Sequence, residues 1–225
     1  MSYAALLLES IGVLADTSDL QRRAFNTAFV AHGVDWHWDR AAYAELLEVP
    51  GGKNRLDHYA ERNGHEVDID ALYEAKLAAF EEGLARGGLS LRPGIDDLII
   101  EARLQGMKLG FVTSTEPRQV QMVMDALSDV LNPAIFDYIG SGNRVPRGKP
   151  APDIYNDALR ELGVEAADAL AIEDTPESAA AATAAGIATW GYPSVAEGRD
   201  FGDVIGAGFP DLDLVRQVQP AVAAQ

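Results

Sequence analysis

The chain has 225 residues, of which 48% are hydrophobic and 24% are charged, a balance that excludes wholesale disorder and suits one domain or a core with a small insert. It contains no cysteine, so disulfides and thiol nucleophiles are excluded, and its four histidines form no zinc-binding motif. The net charge of −17 disfavours nucleic acid and anionic membranes as partners, and it indicates solubility rather than a specific basic partner.

The first residues have the pattern of a buried strand rather than of a targeting segment. Residues 3–8 form a short apolar run that stops at Glu9, and no basic stretch precedes it as in a signal peptide. No apolar run in the sequence approaches the ~18 residues of a membrane-spanning helix. We therefore expect a cytoplasmic protein whose first element is a buried parallel strand followed by a polar turn.

The next stretch shows helical periodicity and no strand pattern. Leu20, Ala24 and Ala28 recur every four residues, and helices are predicted from Ser18 onward and over about 39–48, 53–63 and 69–86. This pattern predicts a helical cap domain over residues 16–88. Three ring-bearing residues are expected to pack inside it, namely Trp36, His37 and Trp38.

Beyond residue 89, predicted helices alternate with predicted strands. Such alternation implies an α/β fold with a parallel sheet and helices on both faces, to which the first strand also belongs. Residues 1–15 and 89–225 are therefore expected to form one core domain, into which the cap is inserted. Its predicted helices cover about 95–105, 117–126, 152–162 and 176–185, and its strands cover 107–112, 136–140, 169–172 and 187–190.

Polar residues follow several of these strands. The carboxyl ends of parallel strands meet at one edge of a sheet, where ligands bind in open α/β folds. Carboxylates at such an edge suit Mg²⁺, while hydroxyls and a lysine suit phosphate. The residues expected there are Glu9, Thr113, Ser114, Lys149, Glu173 and Asp174.

Each of these features has an ordinary structural interpretation when it is taken alone. The segment from Thr113 to Thr115 could cap the helix before Pro117, and Glu173 with Asp174 could form a solvated turn. Lys149 could be a surface lysine. Their order and spacing together favour a metal-and-phosphate pocket.

The same segments resemble the motifs of the haloacid dehalogenase superfamily of hydrolases, in the branch with a helical cap after the first strand. The similarity is closest to the CbbY-like and β-phosphoglucomutase-like group. It implies a Rossmann-like parallel-sheet core, Mg²⁺ as cofactor and a small sugar phosphate as ligand. Residues 113–115, 149–155 and 172–175 match the second, third and fourth motifs, and residues 20–26, 33–40 and 51–53 resemble the CbbY-like proteins.

The resemblance assigns roles to residues position by position. Catalytic positions are Glu9, Ile11, Thr113 and Lys149; phosphate-binding positions are Thr113, Ser114 and Lys149; metal-binding positions are Glu9, Ile11 through its backbone carbonyl, Glu173 and Asp174. Substrate and cap positions are Asp16, Gln21, Gly51, Gly52 and Lys53, although the last three could equally form a plain turn between helices.

The first motif departs from the family pattern at its two chemical positions. Glu9 stands where the family has the nucleophilic aspartate, and Ile11 stands where it has the aspartate that acts as general acid and base. Gln21 replaces a histidine of this branch, and Ser178 replaces a glycine of the fourth motif. Activity is therefore expected to be weak or lost. A slow phosphatase, a non-catalytic binding relative and, less favoured, a purely structural partner of another protein remain as alternatives.

Overall fold

The computed structural model describes residues 3–9, 11–49, 51–193 and 200–208, which divide into two compact units. Of these described residues, those up to 16 and those from 90 onward form the first unit, which contains a parallel sheet, and those from 17 to 89 form the second. The strands are β1 Ala5–Glu9, β2 Lys108–Val112, β3 Tyr138–Ile139, β4 Ala169–Glu173, β5 Ala188–Gly191 and β6 Gly206–Ala207. Their order is β3-β2-β1-β4-β5-β6, and every pairing is parallel, which confirms the predicted Rossmann-like core.

The central strand of the sheet, β1, has four apolar residues before Glu9 and is buried on both faces. All five residues of β1 are buried, and successive side chains of a strand point to opposite faces. Ala5 and Leu7 share one hydrophobic cluster with Ile154 and Ala181, which places two of the surrounding helices on their side of the sheet. The helices of this unit are α1 Ile11–Leu14, α6 Ile95–Leu104, α7 Pro117–Leu127, α8 Asp153–Leu162 and α9 Pro176–Ala184.

Three details of the first unit differ from the sequence expectations. Glu9 is the last residue of β1 rather than the first of a turn, and the segment after it winds into the helical turn α1. Strand β3 is two residues long, shorter than predicted. Strand β6 was not predicted, since two residues are too few to show alternation. It forms where Gly206 packs against the Trp190 ring; a Cβ on this glycine would lie 2.3 Å from that ring.

The second unit is built from helices around an aromatic core. No strand occurs among its described residues, and its helices are α2 Ser18–Ala31, α3 Arg40–Leu46, α4 Gly52–Asn63 and α5 Ile69–Gly87. Trp38 is fully buried, with its ring 4.8 Å from that of Phe25 and 4.9 Å from that of Phe29. Trp36 lies in the same core, whereas His37 is exposed, so the expectation that His37 packs inside was wrong.

N-terminal caps and close packing define the ends and contacts of the helices in the second unit. Asp39 and Asp68 accept hydrogen bonds from the backbone N–H groups of Ala42 and Ala71, which starts α3 and α5. Helices α2 and α5 approach closely at Gly83, where an added Cβ would lie 2.5 Å from Leu20. In the part of the chain that the structure describes, no helix combines the length and the apolar character needed to cross a membrane.

Candidate active site

The carboxyl ends of three neighbouring strands define the candidate site. Glu9 at the end of β1 pairs in register with Val112, so Thr113 directly follows it on the next strand. On the other side Leu8 pairs with Ile172, which brings Glu173 to the same edge. The register of the parallel sheet therefore aligns residues that are more than a hundred positions apart in sequence.

Lys149 occupies the centre of this edge. Its ammonium donates to Glu9 Oε1 at 3.0 Å, to the Val112 carbonyl at 3.3 Å and to Glu173 Oε2 at 3.5 Å. Its side chain is only 4% exposed, so it is not a surface lysine. All three ammonium hydrogens have protein acceptors, and an incoming phosphate has to replace at least one of them.

Two further acidic side chains, Asp174 and Glu173, lie near Glu9, and the charge of Glu9 raises the pKa of both. Burial raises the pKa of Asp174 well above its usual range, and the charge of Glu9, to which Asp174 is hydrogen-bonded, raises it further. Burial also raises the pKa of Glu173 to about 8, although the Lys149 charge opposes this shift. In the absence of a cation, Asp174 and Glu173 therefore retain protons at pH values where exposed carboxyl groups are ionised.

Thr113 and Ser114 start the loop between β2 and α7. The Thr113 hydroxyl is buried and accepts a hydrogen bond from the backbone N–H of Thr115 at 3.0 Å. Residue Glu116, not Thr113, is the N-cap of α7, so the hydroxyl fixes the loop rather than the helix start. Gly142 supports this loop from outside, since its N–H donates to the Thr115 carbonyl and an added Cβ would lie 2.4 Å from the Ser114 carbonyl oxygen.

The remaining core positions, Ile11 and Asp16, differ in exposure. Ile11 is buried at the start of α1, and its carbonyl accepts the Ala15 N–H at 2.8 Å, which leaves one lone pair of that oxygen for another partner. Asp16 is exposed at the end of the first unit. The structure thus brings together Glu9, Thr113, Lys149, Glu173 and Asp174, and it does not place the Asp16 side chain among them.

The predicted cap positions all lie in the second unit. Gln21 is buried in α2, and Gly51 precedes α4 with a φ of +88°, a conformation that favours glycine. Gly52 packs against the Tyr73 ring, which would lie 2.6 Å from an added Cβ. Lys53 forms an ion pair with Asp70 at 2.9 Å. Gly52 and Lys53 therefore have structural partners within the second unit.

Several residues that contribute to the two units were not singled out from the sequence. Tyr155 donates its hydroxyl hydrogen to Glu173 Oε1, and Arg92 donates to the carbonyls of Gly12, Tyr192 and Pro193. In the cap, Lys76 is buried with its ammonium 5.1 to 5.5 Å from three aromatic rings. The sequence signal for Lys76 is its place among the apolar positions of α5. The signal for Tyr155 is that it ends the segment that resembles the third motif.

Gly12 is the residue on which the position of Asp174 depends. A Cβ at residue 12 would lie 1.7 Å from Asp174 Oδ2, so alanine cannot be accommodated unless that carboxylate moves. The family resemblance implies that Asp174 helps to hold Mg²⁺; on that expectation, Gly12→Ala should weaken Mg²⁺ binding by about 10-fold or more, because displaced ligands or ligand partners typically cost 10–100-fold in metal affinity. Calorimetric titration with Mg²⁺ measures this effect.

A matched control for this substitution is Gly106→Ala, at a glycine with no atom within 4 Å of an added Cβ. Its positive φ of +76° makes that variant strained as well, so both variants are expected to lose stability. Unchanged Mg²⁺ affinity in Gly12→Ala would contradict the predicted dependence.

Comparisons with known proteins bear on the family and the fold of the chain. The sequence matches the family described as haloacid dehalogenase-like hydrolase over residues 12–192, a stretch that begins directly after the two altered positions, Glu9 and Ile11. Protein CbbY of Cereibacter sphaeroides is 41% identical over 186 residues, which are 81% of each chain. Protein CbbY of Cupriavidus necator is 41% identical over 204 residues, covering 87% of this chain and 80% of that protein.

A solved structure shows that the similarity to CbbY extends to the fold. The crystal structure of CbbY from Rhodobacter sphaeroides in complex with phosphate has a TM-score of 0.83 and 38% sequence identity, and the match covers 91% of this chain and 93% of that one. A mutant of the same protein in complex with xylulose 1,5-bisphosphate matches equally well. The chain therefore belongs to the haloacid dehalogenase-like hydrolase family, in its CbbY-like phosphatase group.

Proposed function

We propose that the chain binds a small sugar phosphate together with Mg²⁺ at the strand ends, and that it hydrolyses this ligand slowly or not at all. The observation that carries the proposal is the buried contact between Lys149 and Glu9. The lysine supplies the positive charge that a phosphate needs. The glutamate stands where the family has its nucleophilic aspartate.

The binding part of the proposal is supported by groups that suit a phosphate. The ammonium of Lys149 and the hydroxyl-bearing loop of Thr113 and Ser114 meet at one edge of the sheet. The similar CbbY structures contain phosphate or xylulose 1,5-bisphosphate. These ligands are those of the relative, and they support a small phosphorylated sugar as the ligand of this chain.

The metal part is supported by the chemistry of the donor atoms. Mg²⁺ prefers oxygen ligands and is usually bound by one or two carboxylates, with water and phosphate completing its shell. Asp174, whose pKa is raised, keeps a proton and shares a hydrogen bond with Glu9. A bound cation can replace that proton between the two acidic groups. Among the residues that the structure describes, no group of three or more acidic or histidine side chains is arranged to hold a metal by itself.

These residues fit Mg²⁺ as a shared ligand of protein and phosphate. Glu9 and Asp174 would hold the cation, with the carbonyl of Ile11 and the carboxylate of Glu173 as further candidates. When bound, Mg²⁺ would supply positive charge next to the phosphate oxygens.

Weak catalysis follows from the two altered positions. The Glu9 side chain is one methylene longer than aspartate, and its Oε1 is held by Lys149, so its position for in-line attack on phosphorus is changed. Ile11 is buried and cannot donate a proton to the leaving oxygen. Binding does not depend on either function, which is why the same pocket supports a slow phosphatase and a non-catalytic binding protein.

Thermal unfolding with added ligands tests the binding part of the proposal. A ligand that binds only the native state raises its stability, by about 2.7 kcal/mol at a hundredfold excess over Kd. We expect Mg²⁺ and phosphate together, and a sugar bisphosphate more strongly, to raise the melting temperature. A melting temperature unmoved by millimolar Mg²⁺ with either anion would refute binding and favour a purely structural role.

The same samples separate the two forms of the function. Phosphate release from a panel of sugar phosphates, with Mg²⁺ and with a chelator, identifies a slow phosphatase. Stabilisation by a sugar phosphate without phosphate release identifies a binding protein.

A further inference from the structure

Tyr155 lies behind the candidate phosphate site and contacts two of its charged groups at once. It belongs to the first turn of α8, six residues after Lys149, and its side chain is fully buried. Its hydroxyl donates to Glu173 Oε1, and its ring centre lies 4.9 Å from the Lys149 ammonium. These contacts join the helix to the ends of the strands.

The hydroxyl determines which way the Glu173 carboxylate faces. Glu173 is completely buried, with Oε1 held by Tyr155 and Oε2 accepting from Lys149. A buried carboxylate oxygen that loses its donor bears a desolvation cost, so rotation away from Tyr155 is unfavourable. Tyr155 therefore keeps one oxygen of Glu173 directed toward the pocket.

The Tyr155 ring contacts the second charged group, the ammonium of Lys149. A buried ammonium within about 6 Å of an aromatic ring centre is attracted to the ring face. The ring of Tyr155 meets this condition for Lys149, which also donates to Glu9. Tyr155 thus contacts both Lys149 and Glu173, the carboxylate to which Lys149 also donates.

A second tyrosine provides an internal comparison. Tyr138 on β3 is also buried, donates its hydroxyl hydrogen to Asp157 Oδ2 at 2.8 Å, and has its ring 5.1 Å from the Arg144 guanidinium. Both tyrosines bond a carboxylate close to a cation, and Asp157 lies on α8 as Tyr155 does. Only Tyr155 has strand-end site residues as its partners.

We propose that Tyr155 is a positioning residue for the pocket, acting through Glu173 to set the carboxylate arrangement that receives Mg²⁺. This inference rests on the proposed function. Partners of metal-binding side chains typically contribute 10–100-fold to metal affinity. Tyr155→Phe removes the hydroxyl and keeps the ring over Lys149, so it isolates the effect on Glu173.

The test is the affinity for Mg²⁺ alone, measured by calorimetry on the wild-type protein, Tyr155→Phe and Tyr138→Phe. We expect Tyr155→Phe to weaken Mg²⁺ binding about 10-fold or more and Tyr138→Phe to leave it unchanged. Both variants lose one buried hydrogen bond, so both should melt at a lower temperature than wild type. Equal Mg²⁺ affinity in wild type and Tyr155→Phe would overturn the inference, as would an equal loss of affinity in both variants.

Glu173→Gln supplies an independent measurement that does not require Tyr155→Phe to fold. Glutamine keeps an acceptor for the Tyr155 hydroxyl, and it should weaken Mg²⁺ binding at least as much as Tyr155→Phe because Tyr155 acts through residue 173. Wild-type affinity in Glu173→Gln would overturn the inference. Wild-type protein that binds no Mg²⁺ would overturn the metal part of the proposed function and this inference together, whereas the outcomes above overturn the inference alone.

Discussion

Hydrolysis of alkyl sugar phosphates should increase by about 10⁴-fold or more when Glu9→Asp and Ile11→Asp are combined. A displacement of about 1 Å at the attacking group can cost about 10²-fold, and loss of general acid and base catalysis costs roughly 10² to 10⁴-fold. If the two losses multiply, the wild-type protein is about 10⁴ to 10⁶-fold slower than the double variant, and its turnover should be barely measurable.

The single variants should separate the two effects. Glu9→Asp alone should recover little with alkyl phosphates, because no residue protonates their poor leaving group. It should recover more with activated aryl phosphates, which leave without a proton. Phosphate release in the presence of Mg²⁺ measures both series.

A third substitution controls for contaminating phosphatases. Lys149→Met added to the double variant should abolish the recovered rate, because it removes the ammonium that we propose binds the phosphate. Rapid Mg²⁺-dependent cleavage of an alkyl sugar phosphate by the wild-type protein would contradict the prediction. Glu9 would then be a competent nucleophile, and Asp16 would be the first residue to test as the acid.

Lys149→Met should lower the free energy of unfolding by about 3–5 kcal/mol, because removing one partner of a buried ion pair leaves uncompensated charge behind. Here the buried carboxylate of Glu9 loses its cation, and Glu173 loses the same partner, which it needs above about pH 8 where it is ionised. For a chain of this length the loss corresponds to a melting temperature lower by roughly 10 °C. Thermal unfolding of the metal-free protein measures it.

The loss should depend on pH in a defined direction. The pKa of Glu173 is about 8 in the wild-type protein and rises further without the Lys149 charge. Since this pKa lies above the unfolded value, the native state binds the additional proton, and the stability it provides is lost as pH rises through 8. Lys149→Met should therefore be more destabilising at pH 9 than at pH 6.

Lys108→Met is the matched control, since the Lys108 ammonium bonds the Leu162 carbonyl and forms none of the ion pairs described for the strand-end site. It should cost less than Lys149→Met and show no such dependence on pH. Equal losses in the two variants would contradict the central place given to Lys149.

The core fold was predictable because its signals are local. Strand β1 is a continuous apolar run, and the later helices and strands alternate at the spacing of parallel α/β units. The polar residues at the strand ends then followed from sheet geometry, since Glu9, Thr113 and Glu173 each end or follow a strand.

The finer structure of the site depends on contacts that no local pattern encodes. The contact of Asp174 with Gly12 joins the end of β4 to the helical turn α1, which are far apart in sequence, and the bond from Tyr155 to Glu173 depends on how α8 lies on the sheet. The helical turn α1 begins at Ile11, inside the segment after the first strand that was expected to be a polar turn. The roles assigned to Gln21 and Gly51–Lys53 toward a substrate remain predictions.

The central place of β1 in the sheet has a consequence for the order in which the protein is made. Strand β1 pairs with β2 and β4, so its residues emerge from the ribosome long before residues 169–173, their second partner. At about 5–20 residues per second, the interval is on the order of 10–30 s. The hydrophobic cluster of the second unit lies within residues 25–77, so all of its residues have been synthesised well before then. Strand β1, which is synthesised first, therefore cannot complete its pairing until β4 has been made. A nascent chain that stops short of residue 169 exposes the β4 side of this largely apolar strand to chaperones and proteases.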